Sequence, residues 1–119
     1  MKNTIVVTGG AGFVGSNLIG LFLKKTNFKI ISLDNYSTGL IKNHIKNKRV
    51  KYLKNDTKDI SSALKIYKNK INTIFHFGEF SRIYQSFIKL DDCIESNLIG
   101  SNAVFKFSNN SKFLALVNA

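Results

Sequence analysis

Residues 4–18 read TIVVTGGAGFVGSNL, an apolar run that passes into spaced glycines and then into a helical pattern. Ile5, Val6 and Val7 are β-branched and consecutive, as in a strand buried on both faces of a parallel sheet. Gly9, Gly12 and Gly15 follow at intervals of three residues. A strand, a glycine turn and a helix in this order predict a backbone that approaches a phosphate at the helix N-terminus.

A second strand predicted over residues 29–33 ends at Asp34, 19 positions after Gly15. A carboxylate about 20 positions beyond such a turn accepts hydrogen bonds from a ribose and repels a 2′-phosphate, which favours NAD over NADP. The alternative interpretation is that the glycines only permit a tight turn and that Asp34 only ends a strand.

Strand and helix patterns alternate along the rest of the chain. Apolar spacing predicts helices over 13–25, 57–67 and 91–108, with a weaker one over 40–46, and further strands over 50–53, 71–77 and 113–117. Phe13, Val14, Leu18, Leu21 and Phe22 are spaced as one helical face. The fold class expected is α/β: a Rossmann-type doubly wound parallel sheet of about five strands, with helices on both faces and truncated at the C-terminal side. Residues 1–119 are expected to form one NAD-binding domain.

Composition excludes several classes of protein. The chain has 119 residues and a formal net charge of +11, but its lysines are spread from Lys2 to Lys112 rather than clustered. We therefore expect no nucleic-acid partner, and a basic nucleic-acid-binding domain is the less favoured alternative. Cys93 is the only cysteine, which indicates no disulfide, no bound metal and a reducing compartment. Without an apolar run of about 20 residues, no membrane association is expected, and the predicted location is cytoplasmic.

The segment Thr8–Gly15 resembles the TGxxGxxG fingerprint of extended short-chain dehydrogenases/reductases. More narrowly, it is similar to the NAD-dependent epimerase/dehydratase family, which acts on nucleotide sugars. Four later segments resemble motifs of that family in the same order: 34–39 (DNYSTG), 55–59 (NDTKD), 75–79 (FHFGE) and 97–101 (NLIGS).

The resemblance implies a role for each matching residue around NAD. The pyrophosphate is expected at Gly9, Gly12, Phe13 and Val14. The adenosine ribose is expected at Asp34 and Asn35 beside Ser37 and Thr38, and the adenine at Asp56 and Thr57. The nicotinamide side is expected at Phe77, Gly78 and Glu79, supported by Asn97. Ser81 and Arg82 are expected to face the substrate. Glu79 departs from the small residue usual in the family.

Simpler interpretations stay open for several of these residues. Asp56 could cap a helix that starts near Thr57, Asn97 could tie a helix to a loop, and Arg82 could be a solvated surface residue. His76 is interpreted as a packed, hydrogen-bonded residue rather than an acid or base.

The family's catalytic residues do not match this sequence. The family uses a Tyr-x-x-x-Lys pair and a Ser/Thr on the fifth strand. The residues four positions after the four tyrosines are Leu40, Asp56, Ile71 and Ile88, and Val117 and Asn118 stand where the serines would be. No catalytic residue is assigned, and the chain is expected to be inactive alone.

The resemblance thus implies the NAD-binding portion of a nucleotide-sugar epimerase or dehydratase, with a nucleotide-sugar substrate in the full-length family. The alternatives are a non-enzymatic dinucleotide-binding module or a subunit of a split enzyme. The expected protein partner is a second copy in a homodimer or a complementing C-terminal fragment.

Overall fold

Five parallel strands form one sheet in the order β3-β2-β1-β4-β5. The computed structural model describes residues 2–77, 101–109 and 115–118. The strands are β1 (Thr4–Thr8), β2 (Lys29–Asp34), β3 (Val50–Lys54), β4 (Ile71–His76) and β5 (Ala115–Asn118). The order reverses between β2-β1 and β1-β4, which is the Rossmann arrangement and confirms the predicted fold class.

Three α-helices and three 3-10 turns are described beside the sheet. The helices are α1 (Phe13–Lys25), α2 (Ile60–Ala63) and α3 (Ser101–Asn109), and the 3-10 turns are Ile41–Asn43, Thr57–Asp59 and Lys65–Lys70. Helix α1 connects β1 to β2, and α2 lies between β3 and β4.

Successive residues of β1 pack against opposite layers, so the sheet has a core on each face. Ile5 and Val7 belong to the cluster that contains Ile19 of α1. Val6 belongs to the other cluster. That cluster contains Ile60 of α2, Leu64 directly after α2, and Val104 and Phe107 of α3. This alternation explains why the apolar run of β1 is continuous: both of its faces are covered.

Helix α1 packs directly on the turn that precedes it. A Cβ at Gly15 would lie 2.2 Å from the Gly9 carbonyl oxygen and 2.9 Å from Gly10 Cα. A Cβ at Gly10 would lie 2.0 Å from Ser32 Oγ on β2. These two glycines are therefore required by packing within the protein, whatever else the turn binds.

The structure differs from the sequence predictions in three segments. The predicted apolar face of α1 is wrong in part, since Phe13, Val14 and Leu21 are exposed while Gly15 and Ile19 are buried. Only the 3-10 turn Ile41–Asn43 replaces the weak helix predicted over 40–46, because this segment turns back onto the glycine turn. The helix predicted over 57–67 is broken into 3-10 and α segments, and Ser62 Oγ there donates to the Asp59 carbonyl.

The long helix predicted over 91–108 falls partly outside the described residues, which show α3 from Ser101 to Asn109. The predicted strand over 113–117 corresponds to β5 at 115–118.

We expect Gly15→Ala to lower the free energy of unfolding by about 2–4 kcal/mol, because the new methyl group overlaps backbone atoms that cannot move independently. Urea unfolding followed by circular dichroism measures the change. Gly20→Ala is the matched control in the same helix: its Cβ would meet only Ile45 Cδ1 at 3.4 Å, an ordinary contact. That variant should gain about 0.5–1 kcal/mol. Equal stability of the two variants would contradict the packing role of Gly15.

Candidate functional site

The glycine turn contains one backbone conformation that favours glycine over other residues. Gly9 has a φ of 71°, in the left-handed region, and is the described glycine with a positive φ. Its N–H donates to the Leu33 carbonyl at 2.7 Å, and its carbonyl accepts the Gly12 N–H at 3.0 Å. The turn is thus joined to the end of β2 and closed on itself before α1 begins.

The N-terminus of α1 presents backbone N–H groups that the helix does not use. Gly12 is the N-cap and has no side chain to cap it. The first intrahelical bond runs from the Ser16 N–H to the Gly12 carbonyl at 3.0 Å, so the amides of Phe13, Val14 and Gly15 have no acceptor within the helix. The first turn contains no acidic residue. Such an end attracts an anion through these donors and the helix dipole.

Gly12 differs from its neighbours in having space around it. Among the described residues, a Cβ at Gly12 would meet only the Gly9 carbonyl oxygen, at 3.3 Å. Its φ of −81° is one that any residue adopts. Packing and backbone conformation therefore constrain Gly12 much less than packing constrains Gly10 and Gly15. An anion that approached the backbone here would need the space that a side chain would occupy.

Asp34 at the end of β2 is buried and connects two loops. One carboxylate oxygen, Oδ2, accepts the Ala11 N–H at 3.0 Å, and Oδ1 accepts the Tyr36 N–H at 2.8 Å. Each oxygen keeps further lone-pair capacity for another donor. The Asp34 side chain therefore has a structural role beyond ending the strand, because it holds the glycine turn in place.

The segment after Asp34 encloses the same turn from its other side. The Ala11 carbonyl accepts the Leu40 N–H at 3.0 Å and Asn43 Nδ2 at 2.8 Å. A Cβ at Gly39 would lie 2.6 Å from Asp34 Oδ2, so a glycine there lets the loop close over the carboxylate. The N–H and the carbonyl of Ala11 therefore both have hydrogen-bond partners, although the residue is fully buried.

Aromatic side chains hold this loop against β3. The ring of His44 stacks on Tyr52, with centroids 3.8 Å apart and planes 12° from parallel. Tyr36 Oη lies 2.6 Å from His44 Nε2, and Tyr52 Oη accepts the Ile45 N–H at 2.8 Å. Burial, followed by the negative charge of Asp34, raises the pKa of Tyr36, so this hydroxyl keeps its proton and its hydrogen-bonding role at neutral pH.

Asn35 and Asp56 meet where β2 and β3 end. Asn35 Nδ2 donates to Asp56 Oδ1 at 2.6 Å, and Asn35 Oδ1 accepts the Ser37 N–H at 2.9 Å. Asp56 occupies the N-cap position of the 3-10 turn that starts at Thr57, yet it makes no side-chain capping bond. The interpretation of Asp56 as a helix cap is therefore wrong. Thr57 is buried, whereas Ser37 and Thr38 are exposed.

The end of β4 lies beside the end of β1. The Phe77 N–H donates to Thr8, at 3.1 Å from its carbonyl oxygen and 3.0 Å from its Oγ1. Thr8 Oγ1 lies 2.6 Å from His76 Nδ1, and both side chains are fully buried. The prediction of a packed, hydrogen-bonded His76 is confirmed. The predicted site residues Gly78, Glu79, Ser81, Arg82 and Asn97 lie outside the described residues.

The acidic residues that the structure describes lie at one edge of the sheet. Within residues 2–77, 101–109 and 115–118 the acidic residues are Asp34, Asp56 and Asp59, all at or just after the carboxyl ends of β2 and β3. The α1 N-terminus lies beside them through the Ala11–Asp34 bond. Donors for an anion thus adjoin acceptors for hydroxyl and amine groups.

No described group of three or more His, Cys, Asp or Glu side chains could hold a metal ion. No described helix is both long enough and apolar enough to cross a membrane.

Sequence reasoning missed the residues that shape the loop after β2. Asn43, His44 and Tyr52 carry no motif, and their contacts depend on how the loop folds back. Gly39 could have been found, because a glycine five positions after the strand-ending acid indicates a close approach.

The strand order and the crossover helix define an α/β protein of the Rossmann type. The chain belongs to the NAD dependent epimerase/dehydratase family, whose sequence model matches residues 5–119.

Two curated relatives are each 31% identical to this chain. A UDP-glucose 4-epimerase of Pasteurella multocida aligns over 103 residues, which is 82% of this chain and 30% of the relative. A dTDP-D-glucose 4,6-dehydratase of Dictyostelium discoideum aligns over 114 residues, 91% of this chain and 26% of the relative. This chain therefore spans less than a third of the length of either protein.

Among solved structures, epimerase Mth375 of Methanothermobacter thermautotrophicus superposes with a TM-score of 0.87 at 26% identity. The match covers 98% of this chain and 34% of that one. The described strands and helices thus have the arrangement of the corresponding third of that epimerase.

We expect Asp34→Ala to lower the free energy of unfolding by about 2–3 kcal/mol, because the Ala11 N–H loses its acceptor inside the protein. Urea unfolding measures this change without any ligand. Asp59→Ala is the control: this exposed carboxylate makes no capping bond, so its loss should change stability by less than about 0.5 kcal/mol. An Asp34→Ala variant as stable as the control would contradict the structural role of Asp34.

Proposed function

We propose that this chain binds NAD and is the cofactor-binding portion of a nucleotide-sugar epimerase or dehydratase. The observation that supports this most directly is the N-terminus of α1, where unused amides lie beside Gly12, whose Cβ position meets only the Gly9 carbonyl oxygen among the described residues. A pyrophosphate fits these donors and this space. Family membership supports the choice of NAD among nucleotides.

We assign the parts of NAD to residues that follow β1, β2 and β3 in turn along the carboxyl edge of the sheet. Gly9, which closes the turn, Gly12 and the first residues of α1, Phe13 and Val14, receive the pyrophosphate. Asp34 accepts the adenosine ribose hydroxyls with the lone pairs that Ala11 and Tyr36 leave free. Asp56 and Thr57 receive the adenine.

Further residues are proposed to contact the ribose, the nicotinamide side of NAD and the substrate. Asn35, Ser37 and Thr38 lie beside the ribose. Phe77 begins the wall along the nicotinamide side. The same proposal extends to Gly78, Glu79 and Asn97 for the cofactor and to Ser81 and Arg82 for the substrate.

Asp34 also accounts for a preference for NAD over NADP. Its carboxylate is buried and already accepts two backbone amides. A 2′-phosphate placed there would set a second anion against it in a partly desolvated position.

The proposed chemistry divides between this chain and groups outside its sequence. NAD, when bound, supplies a hydride acceptor and donor. The residues of this chain bind the cofactor, orient it along the sheet edge and cover its adenosine half with the loop that follows β2. No tyrosine here is followed four positions later by a lysine, so we propose that proton transfer to the sugar needs residues not contained in this sequence.

A nucleoside diphosphate sugar is the proposed substrate class. It is the class to which UDP-glucose and dTDP-D-glucose, named for the two curated relatives, belong. The complete enzyme rather than this chain alone would act on it.

We expect Gly12→Ala to weaken NAD binding at least about tenfold, because the new methyl group occupies the space that the pyrophosphate needs. Calorimetric titration measures the dissociation constant, after circular dichroism has shown that the variant is folded. Gly20→Ala adds the same methyl group to the same helix away from this edge and should bind as the parent does. A parent chain that is folded and does not bind NAD would overturn the proposed function.

We also expect Asp34→Ala to reduce the ratio of NAD to NADP affinity on the order of tenfold, since the repelling carboxylate is gone. Asn43→Ala is the matched control, because it loses a bond to the same Ala11 backbone and keeps the carboxylate. Its affinity for both dinucleotides should fall together, with an unchanged ratio. An unchanged ratio in Asp34→Ala would exclude Asp34 as the residue that discriminates between them.

A further inference from the structure

Asn35 is the side chain that links the ends of β2 and β3. The Ser37 N–H donates to Asn35 Oδ1 at 2.9 Å. On the other side of the amide, Asn35 Nδ2 donates to Asp56 Oδ1 at 2.6 Å. Asn35 and Asp56 are 21 positions apart in sequence.

The orientation of this amide is determined by its two partners. A backbone N–H can only donate, so it must meet the amide oxygen, and an ionised carboxylate can only accept, so it must meet the NH₂ group. The reversed amide would set donor against donor and acceptor against acceptor. Asn35 therefore acts as a neutral donor aimed at Asp56, held by its own turn.

The bond to Asn35 fixes one oxygen of Asp56 and leaves the other available. Asp56 is half-buried at the N-cap position, where its carboxylate could accept amides of its own 3-10 turn, yet it makes no such bond. Its Oδ2 receives no hydrogen bond from any residue that the structure describes. Because Asn35 holds Oδ1, the carboxylate is kept from capping and Oδ2 remains a free acceptor at the sheet edge.

We propose that Asn35 is a positioning residue that makes the site selective for adenine. It holds the Asp56 carboxylate in the orientation that accepts the exocyclic amine of an adenine ring, rather than serving the ribose as its main role. This inference rests on the proposed function and assigns base recognition within it to a pair of side chains. A base with an oxygen in place of that amine meets an acceptor facing an acceptor, which disfavours binding.

The test compares two dinucleotides that differ at this edge of the base, where hypoxanthine has a carbonyl oxygen in place of the amine and a proton on N1. Calorimetric titration gives the dissociation constants of NAD and of nicotinamide hypoxanthine dinucleotide for the parent and each variant. Asn35→Ser keeps an acceptor for the Ser37 N–H and the neutral charge but has no amide donor to hold Asp56. The preference for NAD should fall about tenfold in this variant and in Asn35→Ala.

Two further variants separate positioning from loop stability. Asn47→Ala removes the same kind of turn bond, in which the Arg49 N–H donates to Asn47 Oδ1 at 2.9 Å, just before β3 rather than just after β2. Its preference should equal that of the parent. Asp56→Ala should lose the preference, and adding Asn35→Ala to it should cause no further change in the ratio, because the two residues then act as one unit.

The outcomes distinguish the two proposals. If the parent binds NAD, and the Asn35 variants weaken both dinucleotides equally with an unchanged ratio, Asn35 contacts the ribose directly and this inference is overturned while the proposed function stands. A further loss of ratio in the double variant would also overturn it. A folded parent that binds neither dinucleotide overturns the proposed function and this inference with it.

Discussion

The structure depends on the close approach of Gly15 to the Gly9 carbonyl at the start of α1. A Cβ at Gly15 would lie 2.2 Å from that oxygen, so the helix could not begin there with any other residue unless the turn moved. This contact brings the N-terminus of α1 to the carboxyl end of the sheet. The amides of Phe13, Val14 and Gly15 consequently lie at the carboxyl edge of the sheet, where the strand order reverses between β1 and β4 and where ligands bind in open α/β sheets.

Asp34 links this turn to the rest of the edge through two backbone amides, and the following loop returns to bind the Ala11 carbonyl. The same carboxylate is thus structural and proposed as the ribose acceptor. These roles are compatible because an ionised carboxylate has more acceptor sites than the two amides occupy. The proposed binding role and the stability of the protein are therefore coupled at Asp34, whereas a side chain at Gly12 would meet only the Gly9 carbonyl oxygen among the described residues.

Much of this architecture could be predicted from local sequence patterns. The β-branched run and glycine spacing indicated β1 and α1, and the acid after β2 was placed correctly at the edge, because strand order and helix length leave few alternatives. The buried face of α1 was predicted poorly. Phe13 and Val14 fit an apolar stripe by spacing, but they lie in the first turn beyond the sheet and are 79% and 56% exposed. Periodicity reports which residues share a face and does not report where the neighbouring layer ends.

Local sequence alone was enough to specify the parallel sheet, the glycine turn and the acid that follows β2, because each depends on residues close together in the chain or on a fixed crossover length. The tertiary structure decided which polar groups meet across the edge. The pairing of Asn35 with Asp56, the return of Asn43 to Ala11 and the stacking of His44 on Tyr52 each require strands or loops that only the assembled sheet brings together. Side-chain hydrogen bonds have short range and strict geometry, so their partners follow from the register of β2 against β3 and not from spacing along the chain.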